Sequence, residues 1–159
     1  MAFFPNKDSK CSAKILPVPG RFTQIFSLVN TSPFLIGAIE QTVAKAKSMV
    51  VNDELYCAES LAYTAKMSVN PLLRWLTYEG KIKKALSLAK KLNPNNPRAY
   101  VLEANIQQKI PYIFGGGCNS VKPLIQKAEL CFNIQTKPNS VEPSWGFQSL
   151  VQLKKACPF

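Results

Sequence analysis

Two stretches of this chain, NDELYCAES at 52–60 and NPRAYVLEA at 96–104, align without a gap at an offset of 44 residues. The alignment matches Asn52 to Asn96, Tyr56 to Tyr100 and Glu59 to Glu103. Self-similarity at such a period implies a stack of like units, because each unit buries its apolar face on its neighbour. The unit can be read from the apolar spacing. Ile36, Ile39, Val43 and Ala46 recur at helical intervals, with Glu40, Lys45 and Lys47 off the stripe, which predicts a helix over 34–48. Asn52 is placed to cap a second helix, NDELYCAESLAYTAKM, whose Asp53 and Glu54 complement the positive end of its dipole.

Asn70 and Pro71 end that helix, and PLLRWLTYEGK then reads as one short turn of helix before Gly80. In KIKKALSLAKKL, Ile82, Ala85, Leu86 and Ala89 form a stripe, and the lysines lie mostly elsewhere; this predicts a core-facing helix with a solvated basic face. The segment KLNPNNPRAY (91–100) is a tight turn between helices. Pro94 cannot continue a helix, Asn95 tolerates a left-handed conformation, Asn96 caps the next helix, and Pro97 suits its first position. The helix PRAYVLEANIQQK stops before Pro111. The stripe Ile82, Leu86 and Ala89 recurs as Val121, Ile125 and Ala128, so a helix pair is the repeating unit. FGGG (114–117) supplies positive backbone angles to the long connection between them. Pro123 falls in a first turn, which puts that helix start near Asn119 or Ser120. Trp145 anchors a last helix whose Phe147, Leu150, Val151 and Cys157 cover the exposed edge of the final repeat.

Composition narrows the chemistry. Histidine is absent, which removes the usual general base and zinc ligand, and no motif pairs the nine acids. No catalytic, cofactor-binding or metal-binding residues are assigned, and the chain reads as a non-enzyme. The five cysteines contain no C-x-x-C, and their odd count and wide spacing make a poor disulfide framework; Cys57 and Cys131 read as small core side chains. The net charge of +11 raises the question of nucleic acid, but the lysine clusters lack interleaved aromatics for base stacking. Phe22 to Ile39, the longest uncharged run, is too polar to span a membrane. The opening MAFFPNKDSKCSAKILPVPG has no unbroken apolar run of the kind a signal peptide needs. Three prolines and no sustained period in residues 1–20 predict a poorly ordered arm, taken as 1–33, ahead of one helical domain at 34–159.

This pattern resembles the tetratricopeptide repeat, in which W-x-x-L-G-x-x-Y opens one helix, A-x-x-x-F-x-x-A fills the next, and a proline closes the unit. Tyr56, Ser60 and Tyr63 fit the first helix, Tyr100 and Ala104 its second copy, and Pro94 the closing turn. Glu59 and Glu103 replace the leucine, and Gln107 replaces the second tyrosine. Together, NPNNPRAY, FGGG, PLIQKAELCF, PSWG and the last helix are similar to an uncharacterised family of bacterial tetratricopeptide-repeat proteins. The resemblance implies an all-α fold: a short right-handed α-solenoid of antiparallel helix pairs with a C-terminal capping helix. Members usually begin with an export signal, which implies an exported or periplasmic protein.

Such a scaffold would hold a protein or peptide along the concave side lined by the first helix of each pair. By analogy with the repeat, Arg98, Asn105 and Gln108 would face that groove, and Arg98 with the basic surface favours an acidic partner. A basic anion or nucleic-acid binder and a self-associating structural protein are the alternatives.

Overall fold

The computed structural model describes residues 33–135 and 143–158, so the arm expected over 1–33 lies outside the described residues except at Pro33. The described chain is all helical, with no strand. Its helices are α1 (Pro33–Met49), α2 (Asp53–Val69), α3 (Pro71–Leu92), α4 (Pro97–Lys109), α5 (Cys118–Ile134) and α6 (Phe147–Ala156), with a 3-10 turn at Tyr112–Phe114. Each packs against its neighbours in sequence: α1 on α2, α2 on α3, α3 on α4, α4 on α5 and α5 on α6. α4 also reaches α2 and α6.

The turns follow from their residues. Asn52 Oδ1 accepts from the Glu54 amide at 2.7 Å, and Asn96 Oδ1 accepts from the Arg98 amide at 2.9 Å, so both repeat copies begin with the same cap. Pro97 takes the first helical position beside Asn96. Asn95 departs from expectation: no non-glycine described residue has a positive φ, and the turn closes instead through the Asn93 side chain, which accepts from the Asn95 amide at 3.1 Å.

PLLRWLTYEGK also departs from expectation, since α3 runs unbroken from Pro71 through Gly80 to Leu92. Proline at its first turn pre-sets the helix directly after Asn70. One glycine costs only about 1 kcal/mol, less than burial of Ile82 and Leu86 on the same helix returns. Gly80 is exposed, and an added Cβ would meet nothing there. Gly80→Ala should therefore stabilise the fold by about 0.5–1 kcal/mol, read as a higher urea midpoint with an unchanged slope.

The two aligned stripes are both buried. Ile82, Leu86 and Ala89 pack with Cys57, Ala99 and Leu102 in one cluster, against which Trp145 leans. Val121, Ile125 and Ala128 pack with Val101, Ala104, Leu150 and Leu153 in another. The last helix therefore covers the second cluster, through Leu150 and Leu153; Phe147 stays largely exposed. α5 starts at Cys118, a residue earlier than expected, so Pro123 sits past the first turn. Gly115 and Gly117 adopt φ of 79° and 86°. Between them a Cβ on Gly116 would collide with the Ile110 carbonyl, so the loop needs glycine for close approach as well as for left-handed backbone.

One sequence expectation is overturned. Cys118 and Cys157 form a disulfide with Cα atoms 5.2 Å apart. Their separation of 39 residues conceals that α6 runs back along α5, returning its C-terminal end to the start of α5. Cys57 and Cys131 are buried free thiols, as read. Burial pushes the Cys57 thiol up to about 12, assisted by the nearby Glu54 and Asp53 charges, so it is a core side chain and not a nucleophile.

Candidate binding cleft

Each repeat contains a lysine from the preceding helix that clasps the next one. Lys47, in the last turn of α1, pairs with Glu59 at 2.6 Å and lies 4.3 Å above the Tyr56 ring centroid. Lys90, in the last turn of α3, pairs with Glu103 at 2.7 Å and lies 5.6 Å above Tyr100. Glu59 and Glu103 therefore do the same thing in the two aligned segments: each binds a lysine of the preceding helix.

The copies differ at the next turn of helix. In the second, Gln107 donates from Nε2 to the Gly115 carbonyl at 2.9 Å and ties down the glycine loop. In the first, the equivalent residue is Tyr63, whose hydroxyl donates to Glu59 at 3.2 Å and whose ring lies beside a cleft. This cleft, of about 310 Å³, is bounded by Glu40, Val43 and Ala44 of α1, by Glu59, Ala62, Tyr63 and Lys66 of α2, and by Tyr78 and Lys81 of α3. The Tyr63 and Tyr78 rings are 6.1 Å apart at 35°, and the Lys81 ammonium lies 5.8 Å and 5.3 Å from their centroids. Lys66 pairs with Glu40 across the cleft. Partial burial, with the charge and hydrogen bond of Glu59, raises the Tyr63 phenol above its usual pKa, so it stays protonated. The cleft thus offers two ring faces, the Lys81 ammonium, a Lys66–Glu40 ion pair and a phenol bonded to the Glu59 carboxylate.

The residues expected to line a groove are placed differently. The Arg98 side chain is only 4% exposed, and its Nε donates to Glu54 Oε1 at 2.6 Å. Its guanidinium lies 5.9 Å from the Trp145 ring centroid, and it borders a smaller hollow of about 170 Å³ with Phe132, Gln135 and Phe147. Asn105 is partly exposed on α4, and Gln108 Nε2 lies 3.7 Å from Cys157 Sγ. The capping helix runs alongside α4, with Trp145 over Arg98 and Cys157 beside Gln108, so these three residues do not converge on one open surface.

Tyr78, Lys66 and Lys81 were not singled out from sequence. A signal did exist, since Tyr63 and Tyr78 stand almost equidistant from the Asn70–Pro71 turn, the spacing that sets two residues side by side in a helical hairpin.

The fold superposes on the HusA haemophore from Porphyromonas gingivalis with a TM-score of 0.75 and 34% sequence identity, over 84% of this chain and 67% of HusA. This chain belongs to the HusA family. No family model matches the sequence, and no curated protein matches it. Identity with HusA over this span extends the likeness beyond the general helical architecture, so the helix pairs described above are a shared framework.

Proposed function

We propose that this protein is a non-enzymatic carrier that binds haem against the cleft between α1, α2 and α3, on a right-handed solenoid of tetratricopeptide-like helix pairs. Membership of the family of a haemophore carries the reading. The residues of the cleft fit the ligand class. Haem is a flat aromatic macrocycle carrying an iron and two carboxylates. The Tyr63 and Tyr78 rings supply apolar faces to stack on, and Lys81 supplies an ammonium group for a carboxylate, Lys66 being already paired with Glu40. A cleft of about 310 Å³ takes one edge of the macrocycle and leaves the remainder open to solvent or to a second molecule.

The sequence contains no histidine, and burial together with Glu59 raises the Tyr63 phenol above its usual pKa, which disfavours a tyrosinate; in this reading recognition rests on the ring faces and charges. Metal-free protoporphyrin should then bind within about threefold of haem. Tyr63→Ala/Tyr78→Ala should weaken both about tenfold, the size of losing one or two aromatic contacts. Absorbance titration of wild type and variant checks this; equal affinity in the two would contradict it. A protein partner held beside Asn105 and Gln108 is the second proposal. Its acidic preference is weakened, because the Arg98 charge that motivated it is neutralised by Glu54.

A further inference from the structure

The 3-10 turn between α4 and α5 presents Tyr112, Ile113 and Phe114 to solvent at 78%, 81% and 74% exposure. Three consecutive large apolar side chains so far from any core need an explanation that packing does not supply. They are also held firmly. The Phe114 amide donates to the Pro111 carbonyl at 2.9 Å and the Gly115 amide to the Tyr112 carbonyl at 2.9 Å. Gln107 fastens the loop from both sides, donating to the Gly115 carbonyl and accepting at its own carbonyl from the Gly117 amide at 3.3 Å. A tip ordered in advance loses little entropy on docking.

The sequence on either side of it carries one sign of charge. The sequence has no Asp or Glu from 104 to 128 or from 143 to 159. Lys109 is exposed at the foot of the turn, and the Cys118–Cys157 bridge brings the end of α6, with exposed Lys155, to the same end of the molecule. We propose that Tyr112, Ile113 and Phe114 form a membrane-docking tip that enters the headgroup region of an anionic bilayer, with Lys109 and Lys155 over the lipid phosphates. Aromatic and aliphatic side chains beside lysines are the combination that region favours. A three-residue turn is too small for a stable protein interface, which covers about 800 Å² on each partner. No described helix is long and apolar enough to cross a membrane.

Flotation of the full, disulfide-intact chain with vesicles tests this, using phosphatidylcholine alone or mixed with phosphatidylglycerol. Wild type should partition onto the anionic vesicles about tenfold more strongly than onto neutral ones, and less as salt rises from about 50 to about 300 mM. Tyr112→Ser/Ile113→Ser/Phe114→Ser should lose about tenfold on anionic vesicles, while Leu76→Ser, at an exposed apolar site on α3, should lose nothing. Circular dichroism confirms that each variant is folded. Ile113→Trp supplies an independent readout: its emission should move to shorter wavelength on anionic vesicles only. Equal partition of wild type and the triple variant, equal partition onto neutral and anionic lipid, or a tip needed for a protein partner but not for lipid would each overturn the proposal.

Discussion

Glu54→Ala is expected to destabilise the fold by about 3 kcal/mol, the cost of leaving a buried guanidinium without its counter-charge. Glu54 Oε1 accepts from Arg98 Nε at 2.6 Å and from Asn96 Nδ2 at 2.7 Å. Without it Arg98 keeps, among the described residues, Gln135 Oε1 at 3.2 Å and the Trp145 face. Arg98→Met should cost less, because the Glu54 side chain is 21% exposed and can turn toward water, whereas the Arg98 side chain is 4% exposed and cannot. The double variant should lose less than the sum of the two. Urea unfolding of the four proteins measures all three comparisons, and the Glu54→Ala loss should persist at high salt, since a buried pair is poorly screened.

Cys157→Ser, or reduction of the native protein, is the second large effect. Opening a bridge between residues 39 apart removes a constraint worth about 3–4 kcal/mol on the unfolded chain. The consequence reaches the core, because α6 carries Leu150 and Leu153 onto Val101, Val121 and Ile125. A helix of 10 residues cannot hold itself together in water, so once untethered it frays and exposes that cluster. Thermal unfolding with and without reductant should show a fall of about 10 °C. Coincident transitions would mean that packing alone holds the cap.

Local chemistry was legible in the sequence and long-range pairing was not. Asn52 and Asn96 announce their caps, because a cap is decided within three residues. The stripes Ile82, Leu86, Ala89 and Val121, Ile125, Ala128 announce their burial through the helical period, and the offset of 44 residues announces that the units are alike. Arg98 was placed in the groove by analogy with the repeat, and its partner Glu54 lies 44 residues earlier, where nothing local marks the pair. The same distance effect hid the Cys118–Cys157 bridge, whose two ends meet only after α6 folds back along α5. α3 was misread at Gly80 because a local penalty was weighed without the tertiary burial that outweighs it. The cleft was missed for a related reason: Glu40, Tyr63 and Tyr78 come from three helices, and what points to it is slight, the Tyr63-for-Gln107 difference between the copies and the equal spacing of Tyr63 and Tyr78 from the Asn70–Pro71 turn.

The proposed seat of the ligand is tested most directly by following backbone amide resonances while metal-free protoporphyrin, which is diamagnetic, is added to the disulfide-intact protein. The largest shifts should fall on 40–44 of α1, 59–66 of α2 and 78–81 of α3, and should vanish in Tyr63→Ala/Tyr78→Ala. Shifts centred on α4 to α6 with those segments undisturbed, or no shifts at ligand excess, would contradict it.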